Sequence, residues 1–128
     1  MSLGQIIAEW RVNAVLTVTS IDSAFFLPTA PNNYQIIEVG LWRRLAGLAG
    51  STVFDLLQGA GGAAAATLYT SPANRPTVTA ASGNNRLVTA MLPDIVVVPA
   101  GTRLEVSIAA VETGTPTDAT LRVLMKRL

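Results

Sequence analysis

The chain has 128 residues, a formal net charge of +1 and only 13% charged residues, against 50% hydrophobic residues. It contains no cysteine and no histidine, which excludes disulfide bonds, thiolate or imidazole metal sites, and nucleophile systems that rely on a histidine base. The small net charge argues against a dedicated nucleic-acid binder. A surface with so few charges is expected to be covered in part by partner subunits.

No stretch of the sequence has the pattern of a membrane span or a secretion signal. The longest uncharged run, residues 56–74, is interrupted by several glycines and by Pro72. Glu9 and Arg11 fall where a signal peptide needs an unbroken apolar core. We therefore expect the chain to be made and kept in the cytoplasm, or to be exported only as part of a larger particle.

Residues 1–9 are predicted to form a short N-terminal arm ahead of a single domain that spans residues 10–128. Ile6, Ile7 and Trp10 give the beginning of the chain an apolar side. Two uses fit that side: a first strand packed into the core, or an arm that reaches onto a neighbouring subunit. From residue 10 to 19 apolar and polar residues alternate, which predicts a half-buried strand.

Phe25 and Phe26 end the next predicted strand. Adjacent residues on a strand point to opposite faces. One of the two rings is therefore expected in the core, and the other under a loop or in a contact between subunits.

The stretch from residue 34 to 59 is predicted to be a β-hairpin around which the rest of the chain is arranged. Its apolar residues fit strand and helix periodicity alike. However, Gly40, Gly47 and Gly50 would each cost a helix about 1 kcal/mol relative to alanine. Glycine suits the turn between two strands, so the hairpin is predicted to turn at Gly47 and Gly50.

Two runs in the C-terminal third, residues 104–108 and 119–125, alternate apolar and polar residues. They are predicted to pair antiparallel across a polar loop at residues 112–118. With these runs the chain has about eight short strands separated by turn residues, which predicts an all-β antiparallel sandwich of the jelly-roll type.

Three pieces of the sequence, in this order, resemble a family of small bacteriophage virion proteins and domains with a β-sandwich or jelly-roll fold. They are IEVGL at 37–41 through the glycine loop to TVFDL at 52–56, LYTS at 68–71 with NRPTV at 74–78, and VPAGTRLEV at 98–106 with DATLRV at 118–123. The chain departs from the family at Thr102, where an acid is common. It departs again after Asp55, where a lysine-asparagine-glycine turn is common.

The resemblance implies a structural role in a virion. The role is that of a capsid decoration (cement) protein, or of a tail, fibre or baseplate module, and such proteins are commonly trimeric. The implied partners are further copies of this chain, as a homotrimer, and the major capsid protein or another virion protein. The implied location is the capsid surface after assembly in the host cytoplasm. The sequence has no long coiled or repetitive segment, which favours decoration over a tail role.

Interfaces favour aromatic residues and arginine, and this preference singles out candidate residues for partner contact. The candidates are Ile6, Ile7, Trp10, Phe25, Phe26, Arg43 and Arg44. For the two arginines, pairing within the chain is the alternative.

Two other function classes fit the sequence less well. A carbohydrate-binding module would need an aromatic platform, but Trp10, Trp42 and Tyr69 are spread along the chain. Glu38 and Asp55 could in principle form a carboxylate pair of the kind that hydrolyses glycosides. Each is explained as well by solvation, or by pairing with Arg43 or Arg44. We therefore expect no enzymatic activity, no cofactor and no metal.

Overall fold

The computed structural model describes residues 4–28, 31–60 and 64–128, and within these ranges the chain forms ten strands in two antiparallel sheets. The first sheet contains β1 (Gln5–Val15), β3 (Tyr34–Leu45), β7 (Arg86–Thr89), β8 (Val97–Val98) and β10 (Thr117–Arg127). The second sheet contains β2 (Thr19–Phe26), β4 (Ser51–Gly59), β5 (Ala66–Thr67), β6 (Thr77–Thr79) and β9 (Arg103–Ala110). Two short 3₁₀ helices, Pro72–Asn74 and Ala80–Ser82, flank β6.

The strands pair in a nested order. β1 pairs with β10, β2 with β9, β3 with β7 and β8, and β4 with β5 and β6. This is the pairing of one long antiparallel ribbon folded at its middle. Wrapped into two layers, the ribbon gives the orders β1-β10-β3-β7 and β2-β9-β4-β5, which is the arrangement of a jelly roll. The predicted fold class, an all-β antiparallel sandwich, is confirmed, and the described residues form ten strands where about eight were predicted.

The predicted hairpin at residues 34–59 is wrong in its pairing. Both of its arms are strands, but β3 lies in the first sheet and β4 in the second. The predicted antiparallel pair of the C-terminal third fails in the same way, because β9 and β10 lie in opposite sheets. In a sandwich the inward faces of both sheets bury apolar residues against one core. Matched apolar faces therefore meet across the core instead of side by side.

The core lies between the two sheets and is built from alternate residues of the long strands. The buried apolar residues of β9 and β10 are Leu104, Val106, Ile108, Ala119, Leu121, Val123 and Met125. Each large side chain buried in this way stabilises the fold by roughly 1.5–3 kcal/mol relative to exposure. This layer holds the two sheets together and fixes which residues face outward.

A bulge in β3 shifts the inward face of this strand. Ile36 pairs with Met125 and Glu38 with Leu124, so Ile37 is the extra residue. Before the bulge Ile36 is buried, and after it Val39 is buried. The outer face beyond the bulge therefore carries every second residue from Glu38 onward.

The predicted boundary between an N-terminal arm and the domain does not match a break in the fold. β1 begins at Gln5 and pairs continuously with β10 from Gln5 opposite Lys126 to Val12 opposite Ala119. Residues 5–9 are thus the first half of an edge strand, which is the alternative considered for this segment. The remainder of the predicted arm includes residues 1–3, which lie outside the described residues.

Candidate functional site

A buried charge cluster joins the two sheets at one end of the sandwich. Arg43 lies near the end of β3, Glu112 follows β9, and both side chains are fully buried where they form an ion pair. The Arg43 guanidinium also donates hydrogen bonds to the carbonyl oxygens of Thr79, at 3.3 Å, and Gly83. Because β3 and β9 belong to different sheets, this ion pair ties the sheets together.

The Glu112 carboxylate has further hydrogen-bond donors around it. The Gly47 N–H donates to Oε2 at 2.6 Å, and the Thr52 hydroxyl donates to Oε1 at 3.1 Å. A Cβ at Gly47 would lie 2.2 Å from the carbonyl oxygen of Thr113, so this position requires glycine. We call Arg43, Gly47, Thr52 and Glu112 the Arg43–Glu112 cluster. Among the described residues, the Arg43 Nε is buried without a hydrogen-bond partner. The other polar atoms named here bind within the chain and hold the connection between β3 and β4, which makes the role of the cluster structural.

Two predicted contact residues are therefore wrong. Arg43 is buried in the Arg43–Glu112 cluster, and Trp10 is only 2% exposed within the core. The loop predicted at residues 112–118 also begins with a buried residue, Glu112. Arg43 shares the inward face of β3 with Val39 and Leu41, and a charge on an inward face needs a buried partner. That partner lies 69 residues away in the chain, so no local pattern identifies it.

The other predicted contact residues divide between core and surface. Ile6 and Phe25 are partly buried against the core. Ile7 and Phe26 are exposed, so the prediction that one of the two phenylalanines packs inward is confirmed. Arg44 is exposed and pairs with Asp118 at 3.2 Å. The structure places Ile7 in the first sheet and Phe26 in the second.

Glu38 and Asp55 do not form a carboxylate pair. Glu38 lies on the outer face of the first sheet and approaches Arg122 at 3.7 Å. Asp55 lies on β4 in the second sheet, pairs with Arg75 at 3.3 Å and accepts a hydrogen bond from the Thr67 hydroxyl at 2.6 Å. The two carboxylates are on different sheets, so neither can assist the other at a scissile bond. Their partners are also not the arginines suggested by the sequence.

An exposed apolar edge, which the sequence did not single out, borders the first sheet. β7 and β8 pair with β3 and end that sheet on one side. Five large apolar residues between 87 and 97 are each 37–66% exposed, and we call this segment the β7–β8 edge: Leu87, Met91, Leu92, Ile95 and Val97. The sequence does show two apolar segments here, residues 86–92 and 95–98, separated by Pro93 and Asp94. Such runs are usually buried on both sides, so the exposure could not be foreseen.

Polar contacts fix the β7–β8 edge in place. The Tyr69 hydroxyl donates to the carbonyl oxygen of Met91 at 2.9 Å. Burial, and then the carboxylates of Asp55 and Asp94, raise the pKa of Tyr69 well above its ordinary value. Hydrogen bonds from the Thr70 hydroxyl at 2.6 Å and the Ser71 N–H at 3.0 Å lower the pKa of Asp94. The edge is thus a defined surface anchored to the segment after β5.

The outer face of the first sheet carries a depression with a volume of about 290 Å³. Its floor is Gly40, where a Cβ would meet nothing within 4 Å. The residues that line it are Glu9, Arg11, Glu38, Gly40, Trp42, Leu87, Thr89, Thr120 and Arg122. We call it the Gly40 depression.

The described residues offer no further chemical centre of a familiar type. Within residues 4–28, 31–60 and 64–128, no three acidic side chains come together in a group that could hold a metal ion. In the same part of the chain, no helix is long and apolar enough to cross a membrane. In comparisons with known proteins, no family model and no curated protein matches the sequence.

Proposed function

We propose that the chain is a structural virion protein, a capsid decoration (cement) protein that associates with copies of itself and binds the capsid surface to stabilise it. The β7–β8 edge carries this proposal, because it is an exposed apolar surface held in place by Tyr69 and Asp94. Single exposed apolar residues are ordinary, but several on one sheet edge mark a contact surface. The proposal that the particle is a phage virion rests on the resemblance to phage virion proteins.

The opposite side of the sandwich supplies a second apolar edge. Ile7, Val15, Val18 and Phe26, on β1, on β2 and on the connection between them, are 47–67% exposed. A two-fold dimer needs one surface that fits itself, whereas a closed ring needs two different surfaces that fit each other. Two apolar edges on opposite sides support a ring. The homotrimer implied by the family resemblance is such a ring.

The remaining surface is suited to contact with a neutral lattice. The chain carries a net charge of +1 and few charged groups, so contact with a capsid protein displaces little bound water from ions. Repeated placement on a symmetric shell lets modest contacts per copy add up. The partner we propose is the major capsid protein or another virion protein, with assembly in the host cytoplasm.

Self-association is tested by measuring the mass of the purified protein in solution. We expect a trimer for the unchanged chain and a monomer for Met91→Glu and Val97→Glu, because each places a charge in the apolar contact. Leu48→Glu is the matched control, since Leu48 is 86% exposed on the β3–β4 connection, away from both edges. This control should stay trimeric. A monomeric unchanged chain at working concentration contradicts the proposal.

Copy counting in purified particles separates decoration from a tail role. A decoration protein should be present in proportion to the capsid lattice, and Met91→Glu should lower its occupancy. A small fixed number of copies at one vertex would indicate a tail, fibre or baseplate module instead. Absence from particles rejects both roles.

A further inference from the structure

We propose that the Gly40 depression binds a neutral saccharide. This role goes beyond the structural function above and does not depend on it. The starting point is Gly40 itself, which lies in the interior of β3 between Arg122 of β10 and Thr89 of β7. A glycine inside a strand weakens the strand, and it usually marks a bulge, a bend or the close approach of another backbone or a ligand.

The structure itself gives no reason for glycine at this position. The pairing of β3 with β10 is regular from Glu38 to Arg43, so Gly40 is not the bulged residue, and its φ is not positive. On the other side, Gly40 opposite Thr89 is the last pair between β3 and β7. A Cβ here would meet nothing within 4 Å, in contrast to Gly47, where it would clash with backbone. Gly40 therefore leaves open space on the outer face of the first sheet. Room for the approach of a ligand is one of the usual reasons for a glycine inside a strand, and the open space above Gly40 fits it.

The residues around this floor form two rows across four strands. Strand register places Glu9, Arg122, Gly40 and Thr89 in one row and Arg11, Thr120, Trp42 and Leu87 in the next. The second row ends in an apolar wall of Trp42 and Leu87. Carboxylates, guanidiniums and threonine hydroxyls occupy the remaining sides. A ligand in the depression would thus meet an aromatic ring on one side and both hydrogen-bond donors and acceptors on the others.

The charges of the lining favour a neutral ligand. Two glutamates and two arginines balance, and they already approach one another, with Arg11 3.3 Å from Glu9 and Arg122 3.7 Å from Glu38. An anion or a cation would have to compete with these pairs. A hydroxyl group both donates and accepts, so it can bond a carboxylate or a guanidinium without separating them.

A sugar ring combines the two properties that the depression selects. Its edge carries hydroxyl groups, and its faces carry carbon-bound hydrogens that pack against an aromatic ring such as the indole of Trp42. The volume of about 290 Å³ lies just below the usual range for ligand pockets, about 300–1,000 Å³. The site therefore suits the end of a glycan chain. Trp42 is the aromatic residue that lines the depression, and the other lining residues come from β1, β7 and β10 as well as β3.

The test begins with a printed array of neutral and acidic glycans, followed by titration of the best neutral glycan in solution. Tryptophan fluorescence can report binding, because Trp10 is buried and Trp42 lines the site. We expect Gly40→Val and Trp42→Ala to weaken binding by about tenfold or more. Gly40→Ala, a smaller filling of the same space, should weaken it less. Lys126→Ala, an exposed change on the same sheet outside the depression, should leave it unchanged.

Folding is checked separately by thermal unfolding. Gly40→Val and Gly40→Ala should unfold at the same temperature as the unchanged chain or higher, because the space is empty and both residues suit a strand at least as well as glycine. Lost binding with intact folding supports the proposal. It is overturned by an array without neutral hits, by hits confined to acidic glycans, or by full binding in Gly40→Val. Protection of the depression by a capsid protein without glycan binding also overturns it.

Discussion

Polar groups of a folded protein usually face water and apolar groups usually face the core. The Arg43–Glu112 cluster departs from this by burying charges, and the β7–β8 edge departs from it by exposing apolar side chains. The cluster buries two full charges, and the edge exposes five large apolar side chains. In the cluster, every partner comes from the same chain: backbone groups of Gly47, Thr79 and Gly83 and the hydroxyl of Thr52. At the edge, the described part of the chain leaves the five side chains 37–66% exposed. Buried charges that pair within the chain stabilise the fold, whereas exposed apolar side chains are the surface that we propose for association.

The largest expected effect comes from removing one charge of the cluster. Glu112→Ala leaves Arg43 buried without its partner, which should cost about 3–5 kcal/mol of unfolding free energy. Urea unfolding followed by circular dichroism measures this loss. The control is Arg44→Ala, which breaks the pair of this exposed arginine with Asp118 and should cost no more than about 1 kcal/mol. Equal losses in the two variants contradict the structural role of the cluster.

A second prediction compares two glycines of the same strand region. In Gly47→Ala the new methyl group meets the carbonyl oxygen of Thr113 at 2.2 Å, and relief of that clash should cost about 1–3 kcal/mol. Gly40→Ala introduces the same group into open space and should be neutral or stabilising. Unfolding free energies of the two variants check the contrast. If Gly47→Ala is as stable as Gly40→Ala, the close packing of the β3–β4 connection is not as described.

A third prediction concerns the anchor of the β7–β8 edge at high pH. The pKa of Tyr69 is raised in the folded state by burial and by Asp55 and Asp94, whereas an unfolded tyrosine ionises near about pH 10. Above about pH 10 the folded chain therefore keeps a proton on Tyr69 that the unfolded chain loses. The contribution of Tyr69 to the free energy of unfolding is fully present below about pH 10 and is lost as the pH rises further. Absorbance of tyrosinate during an alkaline titration, alongside circular dichroism, measures both events.

Tyr69→Phe identifies the residue responsible. The variant lacks the ionisable hydroxyl, so its stability should fall less above about pH 10 than that of the unchanged chain. It also removes the hydrogen bond to the Met91 carbonyl, which should cost about 0.5–1.5 kcal/mol at neutral pH. Ionisation of both tyrosines before unfolding contradicts a buried, neutral Tyr69.

The smallest effect on folding is expected at the edge itself. Met91→Glu should change the unfolding free energy of the monomer by no more than about 0.5 kcal/mol, because the side chain is exposed. Denaturant unfolding at low protein concentration checks this value. The same substitution should have its main effect on the mass in solution. A large loss of monomer stability would mean that Met91 stabilises the fold itself, which contradicts its proposed role in a contact surface.

The sequence predicted the strands and most of their inward faces, since alternation is a local property that Leu104, Val106 and Ile108 display directly. It did not predict which strands pair. In a two-layer fold the apolar faces of consecutive strands match across the core as well as they would within one sheet, so β3 with β4 and β9 with β10 were paired incorrectly.

The sites were less accessible to prediction than the strands. Glu112 looked like a loop residue because its partner, Arg43, is distant in the chain. The bulge at Ile37 has no glycine or proline to announce it. The Gly40 depression exists only because four strands stand side by side. These sites could not be predicted because the residues that form them are far apart in the sequence.

The nested ribbon has a consequence for how the chain reaches this fold. β4 and β5 are joined by a short connection and can meet early, whereas β1 and β10 close the longest loop of all, with Gln5 opposite Lys126. Contacts between such distant segments slow the search for the native state. Joining the two termini by a short linker, and opening the chain elsewhere, would turn that last contact into a neighbouring one. A circular permutant of this kind should keep the same architecture but acquire it faster.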